Sequence, residues 1–144
     1  MKFWDSSALA PLLARETSTS AVRALYAEDM EVVVWWATPV ECASAVARLE
    51  RDEGLTPRDA SAAFARLDRL SASWLQVEPS DEIRETARRL LRVHPLRAAD
   101  ALQLAAAFAA SERRPSTMTF VTLDERLRTA AGKEGFVVSR SATP

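Results

Sequence analysis

Glycine is scarce in this chain. Gly54, Gly132 and Gly135 are the only three among 144 residues, too few and too scattered for a phosphate-cradling loop or a dinucleotide-binding fingerprint. Cysteine and histidine occur once each, as Cys42 and His94, which excludes a Cys/His zinc site and an internal disulfide. One unpaired cysteine suits a reducing cytoplasm, and Cys42 reads as a small buried apolar residue in a helix. His94 has no G-x-S-x-G elbow to serve, so a Ser-His-Asp triad has little support. No apolar run reaches membrane-spanning length, and Met1-Lys2-Phe3-Trp4-Asp5 meets charge too early for a signal peptide. The expected location is the cytoplasm. A formal net charge of −1 leaves no global basic field, so any nucleic-acid contact must be local.

What remains is an ordinary globular composition, with 48% apolar and 27% charged residues and enough length for one substantial core. Apolar β-rich runs at Lys2 to Trp4, Glu31 to Trp36, Trp74 to Val77, Thr119 to Val121 and Phe136 to Val138 alternate with amphipathic stretches of helical period. The expected helices run from Ser7 to about Arg15, Ser18 to Glu28, Thr38 to near Gly54, and Thr56 through Leu70. Others run from Ser80 to a break at Pro95, Leu96 to Ala110, and Leu123 to Ala131. Strands separated by helices require crossover connections, hence an α/β fold with a central, mainly parallel sheet in a three-layer α/β/α arrangement. Residues 1–144 read as a single domain, with about 139–144 a loose tail.

Four acids stand where a strand hands over to a helix or in a helix's opening turn: Asp5, Glu41, Asp100 and Asp124. In a parallel α/β sheet such positions converge beyond the carboxyl ends of the strands, where sites form. Several carboxylates together stay ionised only beside a cation, and all-oxygen ligands point to Mg²⁺ or Mn²⁺. Each acid also has a purely structural reading. Asp5 could cap the first helix. Thr38-Pro39-Val40-Glu41 and Thr122-Leu123-Asp124-Glu125 both have the form of a capping box. Asp100, among Leu96, Leu102 and Leu104 in the expected helix interior, could pair with Arg97, but a buried carboxylate there points to a metal. Capping alone explains all four less easily than a shared site does.

The order Asp5-Ser6-Ser7-Ala8-Leu9, Glu41, Ala99-Asp100-Ala101-Leu102-Gln103-Leu104-Ala105 and Thr122-Leu123-Asp124-Glu125-Arg126-Leu127 resembles the PIN domains, and more closely the VapC toxins of toxin–antitoxin pairs. The resemblance spans nearly the whole chain, through motifs that are individually short. It implies a PIN-like nuclease that uses Mg²⁺, with Mn²⁺ as a substitute, to cut RNA. It also implies a homodimer and neutralisation by a small VapB-like antitoxin laid across the acidic groove. The match assigns Asp5, Glu41 and Asp100 to the core acids and Asp124 to the fourth, with Ser7 and Thr122 as polar supports. Asp5, Asp100 and Asp124 would hold metal, and Glu41 would position or deprotonate water. Some relatives carry a further acid soon after the fourth; here Glu125 is adjacent and Arg126 follows, so one metal or two stays open.

Two alternatives belong to other classes. A receiver-type phosphoryl-transfer domain also gathers acids at strand ends but wants a lysine after a later strand, and Lys2 and Lys133 are not so placed. A catalytically silent PIN-like module binding RNA or protein would be expected to have lost some of its acids. Basic residues are 17 arginines against two lysines. Arg84, Arg88, Arg89 and Arg92, then Arg97, and the pair Arg113 and Arg114 are possible phosphate forks, though the first group reads better as a solvated face paired with Asp81, Glu82 and Glu85. His94 reads as a helix-end residue rather than a phosphate contact. Of Trp35 and Trp36, at least one belongs in the core; the other is a possible base-stacking or partner surface.

Overall fold

The computed structural model describes residues 1–14, 19–52 and 54–139. Five strands, β1 (Lys2–Trp4), β2 (Val32–Trp35), β3 (Leu75–Val77), β4 (Thr119–Val121) and β5 (Val137–Val138), form one sheet in the order β3-β2-β1-β4-β5. Every pairing is parallel. The expected α/β/α layering is therefore present, and the sheet is wholly parallel. The chain winds one way from β1 through β2 to β3, then returns to the other side of β1 for β4 and β5. That reversal puts a topological switch point between β1 and β4, where a crevice opens at the strands' carboxyl ends.

Among the described residues seven α-helices connect the strands: α1 (Ser6–Leu9), α2 (Thr19–Glu28), α3 (Thr38–Asp52), α4 (Pro57–Ser71), α5 (Asp81–Val93), α6 (Ala98–Ala110) and α7 (Glu125–Lys133). The first is shorter than expected, because Pro11 lies in a 3₁₀ turn over Ala10–Leu12 that takes over after Leu9. Thr56 caps α4 by accepting from the Asp59 N–H, with Pro57 at the first helical position. Ser80 caps α5 through the Ile83 N–H. Both starts are written in the sequence. The expected tail beyond Ser139 lies outside the described residues.

The two faces of the sheet follow from strand alternation. Phe3, Val33, Trp35 and Phe120 pack on one side with Ile83, Leu90, Leu104 and Leu127 from α5, α6 and α7. Trp4, Val32, Val34 and Val121 pack on the other with Leu9, Val22, Val46 and Leu67 from α1 to α4. Alanines 105 to 107 are buried, which lets α6 approach the sheet closely. Trp35 is a core residue, whereas Trp36, just past the end of β2, is 51% exposed. Among the described residues no helix is long and apolar enough to cross a membrane.

Candidate active site

Asp5, Glu41, Asp100 and Asp124 line a single cavity of about 310 Å³ together with Ser6, Ser7, Ala10, Ser44, Ala45 and Arg48. Four acids separated by up to 119 positions in the chain thus meet at the sheet's carboxyl edge. They arrive on three kinds of support.

Asp5 directly follows β1 and caps α1, accepting from the Ser7 N–H at 3.3 Å. The same carboxylate oxygen, Oδ2, accepts from Ser7 Oγ at 2.5 Å and from Thr122 Oγ1 at 2.8 Å. Ser7 Oγ in turn accepts from the Leu123 N–H. One oxygen of Asp5 is thus held by three donors, while Oδ1 has only a long contact, 3.4 Å, from Ser6 Oγ. The expected supporting residues, Ser7 and Thr122, both do this orienting.

Asp124 is the N-cap of α7, through the Leu127 N–H at 3.0 Å. The expected capping box from Thr122 to Glu125 does not form, because the Thr122 hydroxyl is engaged with Asp5 and with the Asp124 N–H. The box expected from Thr38 to Glu41 is also absent. Ala37 supplies the carbonyl that receives the Val40 and Glu41 N–H groups, so α3 starts earlier. Thr38 Oγ1 and Glu41 Oε1 instead share one donor, the buried amide of Gln103, at 3.0 and 2.6 Å. Freed from capping, Glu41 faces the groove.

Asp100 corrects another expectation. Helix α6 begins at Ala98, so Asp100 sits in its first turn, accepts from the Arg97 N–H at 3.4 Å and suits the helix dipole there. It is half-buried, and Arg97 contributes backbone, not an ion pair. Its position has an ordinary helical explanation, and what sets it apart is the cavity it shares with Asp5, Glu41 and Asp124.

Electrostatics express that company. Burial pushes Asp5 above the usual carboxylate range against the opposing pull of Ser7 and Thr122, and Asp100 adds repulsion. Glu41 rises to about 7, first through burial, then through repulsion by Asp5, with the Gln103 bond opposing. Asp100 is raised by burial and by Asp124, with Arg97 and Arg126 opposing. Cys42 is fully buried, and burial plus the neighbouring Asp5 and Glu41 lift its thiol to about 12, so it is an inert apolar filler as expected.

The carboxylates share a cavity without forming a finished cage: among the described residues no three Asp, Glu, His or Cys side chains are gathered closely enough to hold an ion. A donor set of mutually repelling carboxylates with uncommitted oxygens still suits a hard divalent cation, since Mg²⁺ commonly takes one or two carboxylates and keeps several waters.

The PIN domain family model matches residues 2–133. The chain belongs to the PIN domain family. Ribonuclease VapC45 and Ribonuclease VapC49 of Mycobacterium tuberculosis are each 33% identical to it over 134 residues, covering 92% of this chain and 90% of the relative. This PIN domain is a VapC relative. Solved structures share its fold. One is a toxin–antitoxin complex from Klebsiella pneumoniae, with TM-score 0.68, 17% identity and 98% of both chains covered. Another is M. tuberculosis VapC20, a sarcin–ricin loop cleaving toxin, with TM-score 0.63, 21% identity and coverage of 90% and 95%.

Two residues around this PIN site escaped sequence reasoning. Gln103, fully buried, was visible as an amide between Leu102 and Leu104, but nothing local said that it reaches Glu41. Arg48 was one arginine among many. The arginines that did stand out are largely engaged elsewhere: Arg84 with Asp81, Arg89 with Glu134, Arg113 with Glu82 and Arg114 with Glu112. His94 ends α5 as expected, and its buried ring meets Glu134 at 2.7 Å, so it is not a phosphate contact.

Proposed function

We propose that this PIN domain is a metal-dependent endoribonuclease of the toxin kind, restrained by a small cognate antitoxin. The observation that carries the proposal is the convergence of Asp5, Glu41, Asp100 and Asp124 on one cavity. The ribonuclease names of the relatives support RNA as substrate. The toxin–antitoxin complex sharing the fold supports the partner. A silent binding module has no need of four acids brought together against their mutual repulsion.

In this reading residues 1–144 act as one PIN-like domain, in the cytoplasm and as a homodimer. Asp5, Asp100 and Asp124 hold Mg²⁺, or Mn²⁺ in its place. When bound there, such a cation would supply Lewis-acid activation of water and relief of charge on the leaving oxygen. The protein's own groups do the rest. Ser7 and Thr122 fix Asp5 Oδ2 and leave Oδ1 to face the site. Gln103 holds Glu41 through Oε1, so the attacking water's proton goes to Oε2. Without a cation Glu41 holds its proton up to about 7; a cation at the neighbouring carboxylates would lower that and leave Glu41 ionised, ready to take a proton at neutral pH.

The test is cleavage of total RNA by the purified chain, free of partner, with Mn²⁺, with EDTA, and with Asp100→Asn beside the wild type. Discrete cuts that require both the metal and Asp100 are expected. No cleavage by a folded, metal-loaded wild type would overturn the reading.

A further inference from the structure

We infer that Arg48 is a substrate-positioning residue that grips an RNA phosphate next to the one being cut. The inference rests on the ribonuclease reading and adds to it how a polyanion approaches an acidic groove.

Helix α3 presents Glu41, Ser44, Ala45 and Arg48 to the cavity, the i, i+3, i+4, i+7 spacing of one helical face. Arg48 is exposed, and among the described residues it has no ion-pair or hydrogen-bond partner, although Asp52 lies one helical turn away on the same helix. Two turns along the helix, roughly 10 Å, separate it from Glu41. A long guanidinium side chain at that spacing reaches a phosphate neighbouring the one at the carboxylates. Arg84, Arg89, Arg113 and Arg114 each face a carboxylate, and what sets Arg48 apart from the other arginines without an ion pair is its place in the lining of the acidic cavity.

Charge supplies the reason. One divalent cation leaves four ionised carboxylates two negative charges in excess, which would repel RNA. A guanidinium at the rim offsets part of that excess, and its fork fits phosphate oxygens with two parallel hydrogen bonds.

The test is binding of a fluorescein-labelled single-stranded RNA, followed by anisotropy in the Asp100→Asn background so that the RNA stays intact, at several salt concentrations. Arg48→Glu should weaken binding about tenfold and Arg48→Ala about fivefold. The alanine variant should also lower the slope of log affinity against log salt by about 0.7, the loss of one single-strand phosphate contact. Arg48→Lys should recover most of the affinity. In the otherwise wild-type enzyme, Arg48→Ala should raise KM while kcat stays within about twofold. Arg114→Glu, the same charge change in the loop after α6, should leave binding unaltered. Unchanged affinity and slope in Arg48→Glu, or an equal loss in Arg114→Glu, would overturn the inference while leaving a wild type that cuts RNA as a ribonuclease. A wild type that neither binds nor cuts RNA would overturn both.

Discussion

The acids at the two ends of the sheet live under opposite rules. Asp29 and Glu134 lie just before β2 and β5, at the amino end, and each is answered. Asp29 accepts from the Trp4 indole at 2.7 Å and from the Glu31 N–H at 3.2 Å. Glu134 receives His94 at 2.7 Å and Arg89 at 3.6 Å. At the carboxyl end Asp5, Glu41, Asp100 and Asp124 share a cavity in which neutral donors hold some of their oxygens and no side-chain cation comes within ion-pair distance among the described residues. A fold that balances charge at one end and concentrates like charge at the other stores repulsion that a bound cation would relieve.

Neutralising the unbalanced end should have the largest effect, and in two directions at once. Asp5→Asn or Asp100→Asn should reduce RNA cleavage by about a thousandfold or more. In EDTA at pH 8 the same variants should melt at a higher temperature than the wild type, since a repelling charge is gone. Lower melting temperatures would remove the argument from stored repulsion.

Breaking the balanced end should do the converse. Glu134→Ala leaves the buried His94 ring without its partner and should cost about 1–3 kcal/mol in denaturant unfolding, with kcat unchanged. A loss of activity without a loss of stability would show that this pair serves the site.

The pH dependence sharpens the contrast without mutation. Glu41 holds its proton up to about 7 in the folded chain, against 4.5 for an ordinary glutamate. Between those values the folded state binds more protons than the unfolded one, so stability falls as pH rises through this window. Asp5 and Asp100 shift the same way. The metal-free protein should therefore lose about 1–3 kcal/mol between pH 4.5 and pH 7, as read by unfolding in EDTA. Adding Mn²⁺ at pH 8 should recover it by mass action. A flat profile would mean that the carboxylates do not repel as described.

Thr122→Val is the mildest change. It removes one donor from Asp5 Oδ2 and one acceptor from the Asp124 N–H, and should cost about 1–2 kcal/mol. Weakened support of a ligand should also lower Mn²⁺ affinity about tenfold, measurable by calorimetry.

Much of this was legible in the amino-acid order because it rests on local rules. Alternating apolar runs and helical periods specify a parallel α/β sheet, and Thr56-Pro57 and Ser80 mark helix starts whatever surrounds them. The four acids were legible because strand-end positions in a parallel sheet must meet. Readings failed where a local motif competes with a distant partner, or where a helix begins later than its apolar pattern. Thr38 and Glu41 spell a capping box, yet Gln103, more than 60 residues away, binds both. Asp100 looked like a helix-interior charge because Leu96 extends the apolar pattern, while the helix itself waits until Ala98. Arg48 carries no local mark, and only the neighbours assembled by the fold distinguish it.

Central to the proposed function is a cation site formed by Asp5, Asp100 and Asp124 beside Glu41. Calorimetric titration of Mn²⁺ into the purified chain near pH 7.5 tests it most directly. The account predicts binding to the wild type with release of protons from the raised carboxyls, and its loss in Asp100→Asn. A folded wild type that takes up no Mn²⁺, or an Asp100→Asn variant that binds it equally well, would contradict the account.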